Sequence, residues 1–108
     1  MTVKAELMTL VDKMNADPIF IKDEKNRIYQ VNLDESGPVQ IVVADSQVRV
    51  VEGSSREAEV ILNLSDENFS KLLNDDLNTT MAFMKGQLKI EGKIGLALKL
   101  QEIVNKYQ

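Results

Sequence analysis

Ala58-Glu59-Val60-Ile61-Leu62-Asn63-Leu64-Ser65-Asp66-Glu67-Asn68-Phe69 (residues 58–69) changes its hydrophobic period halfway along. Up to Leu64 the apolar residues Ala58, Val60, Leu62 and Leu64 recur every second position, the pattern of a half-buried strand. At Ser65 the pattern stops. Ser65 is a helix N-cap with Asp66 and Glu67 in the first turn, where the helix dipole favours acids. Phe69, Leu72 and Leu73 then follow at helical spacing. A strand that gives way to a helix in this manner marks a chain of mixed class.

Upstream, period two repeats. Tyr29, Val31 and Leu33 alternate with Gln30 and Asn32, and the Asp34–Pro38 turn leads to Val39, Ile41 and Val43. After Ala44-Asp45-Ser46, Val48 and Val50 line a third strand, and Gly53-Ser54-Ser55 precedes the fourth. Before them, Val3, Leu7, Leu10, Val11 and Met14 form the stripe of an amphipathic helix that Asp17-Pro18 ends. Downstream, Asn78 caps a short helix containing Met81, Ala82, Phe83 and Met84, which Gly86 stops. Leu88-Lys89-Ile90 reads as a fifth strand and Ile94–Tyr107 as a final helix. The order α-β-β-β-β-α-α-β-α predicts one α+β domain with a five-stranded, largely antiparallel sheet covered by helices. The 108 residues suffice for a single core.

Composition narrows the chemistry. There is no cysteine and no histidine, which excludes disulfides, thiolate nucleophiles, a histidine general base and the usual zinc sites. The formal charge of -4 and the absence of Trp argue against nucleic acid. The charge is uneven: residues 85–108 hold Lys85, Lys89, Lys93, Lys99 and Lys106 against Glu91 and Glu102. These lysines serve either as a solvated face or as a transient contact for an anionic membrane surface. The acid pairs Asp34-Glu35 and Asp75-Asp76 fall in turns and read as solvated. Neither cofactor nor metal is expected. No apolar leader region or peroxisomal tripeptide is visible, so the expected location is the cytoplasm.

The final helix has more apolar surface than docking requires. Leu96, Ala97, Leu100, Ile103, Val104 and Tyr107 occupy an arc of roughly 120°, enough to pack on a sheet. Ile94 and Leu98 fall in the next sector, near Gln101, and Met81, Phe83 and Met84 cannot all face one way. Another helix of the same domain, a partner chain or a bound lipid would each cover this surplus. Gln101 either orients a ligand head group or bonds to backbone.

The block Met81-Ala82-Phe83-Met84-Lys85-Gly86-Gln87-Leu88-Lys89-Ile90-Glu91-Gly92, continuing through Lys93-Ile94-Gly95-Leu96-Ala97-Leu98-Lys99-Leu100-Gln101, resembles the C-terminal signature of the sterol carrier protein 2 family. Residues 58–69 resemble that family's strand and following helix. Lys85 stands where the family often has Gln. The resemblance implies an apolar tunnel between sheet and helices that takes fatty acids, acyl-CoA or sterol-like lipids with low selectivity, in a monomer or homodimer and without catalysis. It implies lining positions at Met81, Phe83, Met84, Ile94, Leu98 and Gln101, with Leu10, Met14, Phe20, Val43, Val50, Phe69 and Leu73 contributed by the rest of the wall. Two other functions stay open on the residues alone: an interaction or dimerisation module, and an enzyme working with Asp or Glu only.

Overall fold

The computed structural model describes residues 2–108. Helix α1 (Val3–Ala16) starts where the Thr2 hydroxyl accepts from the Ala5 N–H, and it buries Val3, Leu7, Leu10, Val11 and Met14. One 3-10 turn, Pro18–Phe20, follows. Strands β1 (Arg27–Leu33), β2 (Gly37–Ala44) and β3 (Gln47–Glu52) form a meander, and β4 (Val60–Leu64) then leads into α2 (Asp66–Leu73). The chain ends with α3 (Thr79–Met84), β5 (Leu88–Gly92) and α4 (Ile94–Lys106). The expected element order is the observed one.

The sheet runs β3-β2-β1-β4-β5. It is mixed: β1 and β4 pair in parallel, and every other pair is antiparallel. Parallel pairing follows from the segment after β3, which carries the chain from one sheet edge to the far side of β1. Ala58 belongs to that segment and lies outside β4, half-buried, where the alternation predicts strand. The crossing segment passes over the sheet face opposite the helices. There the Arg56 carbonyl accepts from Gln40 Nε2 at 2.7 Å, and the Glu59 N–H donates to the Ile28 carbonyl at 3.1 Å. Gln40 and Gln30 are consequently buried. Their amides begin a hydrogen-bonded row through Asn32 and Asn63 to Glu91.

Two local devices fix the frame around the core. Asn15 pairs its side-chain amide with both the N–H and the carbonyl of Val48, each at 2.8 Å, and so tethers α1 to the edge strand β3. Gly92 joins β5 to α4 at φ +88, and a Cβ there would stand 2.6 Å from the Glu59 carbonyl oxygen, so only glycine fits. At the opposite end of the sheet, Asp66 accepts from the Glu35 and Ser36 N–H groups and from the Ser36 hydroxyl.

Candidate functional site

Strand alternation puts Tyr29, Ile41, Val43 and Val48 on the helix side of the sheet, where α1 and α4 lie over them. A void of about 20 Å³ remains between the layers. Its wall is apolar: Leu7, Leu10, Val11 and Met14 of α1, Ile21, the four strand residues, Phe69, Leu72 and Leu73 of α2, and Leu100, Ile103 and Val104 of α4. A space of this size holds about one water and nothing larger.

A second hollow lies just outside. A groove of about 210 Å³ runs between α1 and the end of α2, lined by Glu6, Thr9, Lys13, Asn74 and Gln108, with Leu10 and Leu73 at its base. Leu10 and Leu73 also line the inner void. Two side chains therefore separate an apolar interior from a polar surface groove. Close by, the Tyr107 hydroxyl donates to the Asp17 carbonyl at 2.6 Å and accepts from the Phe20 N–H at 3.3 Å. The Phe20 and Tyr107 rings meet edge to face at 5.5 Å, which fixes the end of α4 to the 3-10 turn.

Tyr29 is the one wall residue carrying a hydroxyl. The residue is fully buried and its hydroxyl has no hydrogen-bond partner. Burial pushes the phenol above its ordinary value, against the pull of the neighbouring Arg27 guanidinium. Arg27 Nε is buried as well and has no hydrogen-bond partner of its own among the described residues.

Of the positions the resemblance implies, Leu10, Met14, Val43, Phe69 and Leu73 meet around the void. The others lie outside its wall. Val50 is half-buried against the core, and Phe20 is engaged with Tyr107. Met81, Phe83, Met84, Ile94 and Leu98 are exposed. Gln101 Nε2 donates to the Leu77 carbonyl at 2.8 Å, the backbone alternative of the two that its sequence context allows. Leu100, Ile103 and Val104 were legible as α4's docking arc, and Leu7 and Val11 as α1's stripe, so the signal for much of the wall was present in the periodicity. The orphan hydroxyl of Tyr29 had no sequence signal at all.

Of the expected 120° arc the final helix buries Ala97, Leu100, Ile103, Val104 and Tyr107, and Leu96 is half-buried against the core. Its surplus sector has no cover within the described chain: Ile94 is 47% exposed and Leu98 45%. With Met81, Phe83 and Met84 on α3, these side chains form the apolar outer surface of the two packed helices. Lys85 follows Met84 and Lys93 precedes Ile94, and neither forms an ion pair among the described residues. No helix is long and apolar enough to cross a membrane.

Over residues 5–105 the chain matches the SCP-2 sterol transfer family, and it belongs to that family. It is 42% identical over 52 residues to hydroxysteroid dehydrogenase-like protein 2 of Bos taurus, a match covering 48% of this chain. The same match covers 12% of the bovine protein's length, so this chain corresponds to a small part of its curated relatives. Among solved structures, palmitated SCP2L2 from Aedes aegypti superposes with a TM-score of 0.71 at 22% identity, covering 96% of this chain and 95% of that one. Sterol carrier protein 2 of Yarrowia lipolytica in its apo form gives 0.68 at 20% identity, covering 94% and 88%. At these identities the likeness is one of fold.

Proposed function

We propose that the protein is a low-selectivity lipid carrier that takes a long apolar chain between α1, α4 and the sheet. One observation carries the reading: the only wholly apolar hollow among those described lies where two helices cover the sheet without closing on each other. Family membership and the palmitated state of the Aedes aegypti relative support it.

Taking a long chain into a void of about 20 Å³ requires its walls to move apart. A ligand pocket of about 300 Å³, left empty, would cost about 7 kcal/mol at about 24 cal/mol per Å³. That is comparable with the whole stability of a small domain, so a preformed dry pocket of that size would be costly. A sixteen-carbon tail offers about 12 kcal/mol gross at about 0.8 kcal/mol per methylene, from which immobilisation and ordering subtract several. Burial of this kind is nondirectional, which accounts for low selectivity. It also requires no histidine or cysteine, and the chain has neither.

Exchange takes place at a membrane surface through the exposed α3–α4 patch. Met84 and Ile94 would enter the interface, with Lys85 and Lys93 contributing about 1 kcal/mol each against anionic lipid. The same exposed side chains favour one other reading, a homodimer through that face.

Protein purified from cells should carry substoichiometric lipid, identified by native mass spectrometry with organic extraction, and should bind cis-parinaric acid. An empty protein that leaves the probe unbound overturns the carrier reading. A concentration-dependent dimer in sedimentation, indifferent to anionic vesicles, would replace the membrane role with the dimer.

A further inference from the structure

The two edges of the sheet are finished differently. At β3, Asn15 occupies both backbone groups of Val48, and Lys4 reaches across to Glu52 at 2.7 Å, so α1 closes that edge. Strand β5 has no such closure. On its inner side, the Leu64 carbonyl accepts from the Asp34 N–H at 3.1 Å, so the backbone of Leu64 addresses β1. Alternation then turns the backbone groups of Ile61 and Asn63 toward β5, where they face Glu91 and Lys89. The Lys93 N–H, donating to the Glu59 carbonyl at 3.1 Å, falls in the same register. The N–H and carbonyl groups of Leu88 and Ile90 therefore point away from the sheet, and no other element hydrogen-bonds to them among the described residues. An open edge of this kind is a template for another strand.

We propose that this edge pairs with the β5 edge of a second copy of the chain, antiparallel about a two-fold axis through Ile90. In that register Ile90 meets its own counterpart and Leu88 meets Gly92, so the outward backbone groups of Leu88 and Ile90 find partners. Lys89 then stands opposite Glu91 of the second copy, and Glu91 opposite its Lys89, in the closer pairs that lie between the hydrogen-bonded ones. Both side chains are exposed, and neither has an ion pair among the described residues. Sliding the pairing by two residues sets Lys89 against Lys89 or Glu91 against Glu91, and sliding it by one breaks the hydrogen-bond pattern. The charges therefore select a single register. Glu91 is already oriented, because Asn63 Nδ2 donates to its Oε2 at 3.1 Å at the end of the amide row that begins with Gln40. The lysine of the second copy continues that row across the axis. The axis stands perpendicular to the sheet, so both helix layers lie on one side of it. The contact is five residues long on each copy, against about 20–30 a side in a stable complex, so the association is weak and reversible.

Sedimentation equilibrium of the whole chain at low salt should show a monomer–dimer equilibrium at high micromolar concentration that weakens as salt is added. Residue-resolved hydrogen exchange should slow at the Leu88 and Ile90 amides as concentration rises, and not at those of Lys89 and Glu91, which already bond to β4. Lys89→Glu or Glu91→Lys alone sets two like-charge pairs across the axis and should weaken the dimer by about tenfold or more. The two variants mixed should associate with each other, since every cross-strand pair is then of opposite sign. The double variant carrying both exchanges should dimerise as the unmodified protein does. Both positions are exposed, so the urea midpoints should hold throughout. A homodimer through the apolar α3–α4 face would be indifferent to these charge exchanges, and that result overturns the pairing. A protein that stays monomeric at millimolar concentration overturns it as well.

Discussion

Between α1, α4 and the sheet, every side chain around the void is buried, whereas on the outer faces of α3 and α4, Met84 is 75% exposed and Ile94 47%. Both regions are apolar, and α4 contributes to both. A helix lying on a sheet buries an arc of roughly 120°, and Leu100, Ile103 and Val104 fill it. Ile94 and Leu98 sit one sector round, beyond the reach of the sheet. The difference is one of cover: the inner arc packs against the sheet and holds the domain together, and the outer sector has no cover among the described residues.

That division gives the largest expected effect. Phe69→Ala, at a fully buried position on the wall, should cost about 3–5 kcal/mol in urea denaturation. Ile94→Ala, at a similarly apolar but exposed position, should stay within about 0.5 kcal/mol. Comparable losses at the two sites would mean that the outer sector is part of the core after all.

Next comes the residue that orients α4. Gly92→Ala forces a side chain onto the Glu59 carbonyl at a positive φ, and should cost about 2–3 kcal/mol by the same measurement. A smaller loss would show that the β5–α4 junction can rotate, and with it the choice of which sector faces inward.

How legible was this arrangement beforehand? The caps were. Ser65 accepts from the Asn68 N–H and Asn78 from the Met81 N–H, each at 3.0 Å, as the sequence pattern requires. The strands were legible too, since their alternating apolar residues Tyr29, Val31, Ile41, Val43, Val48, Val60 and Leu62 are buried, although β2 buries both of its faces. The parallel pairing of β1 with β4 was not, because residues 53–57 carry no periodicity and their path over the sheet is held by tertiary contacts such as Gln40 Nε2 donating to the Arg56 carbonyl. For the site, periodicity identified which residues of α1 and α4 are apolar. It did not separate those facing the void from those facing out, because a wide apolar arc reads the same whether one partner covers it or two. Tyr29 was read only as a strand residue, since an unpaired hydroxyl is a fact of three-dimensional packing.

The outer sector gives a more moderate prediction. Met84→Ser combined with Ile94→Ser should weaken binding to anionic phosphatidylglycerol vesicles by about tenfold, since each removes apolar surface that would enter the interface. The urea midpoint should stay within experimental scatter of the unmodified protein, and cis-parinaric acid should bind as before. Unchanged vesicle binding would assign the patch to some other contact.

The smallest effect belongs to a site in neither region. Burial works to raise the Asp66 carboxyl, but the Ser36 hydroxyl and the N–H groups of Glu35 and Ser36 outweigh it and hold the group below its ordinary value of 3.8. A carboxyl depressed in the folded state contributes stability above the unfolded value and loses it as pH falls through the folded one. Asp66→Asn should therefore remove part of the acid limb of the stability profile below about pH 4. At neutral pH its cost should be at most about 1 kcal/mol, because the carboxylate is partly exposed and solvent screens it. Asp66 pins the β1–β2 turn to the start of α2, away from both the void and the patch. The same variant should leave lipid and vesicle binding unaltered, and a change in either would show that the two regions are coupled through α2.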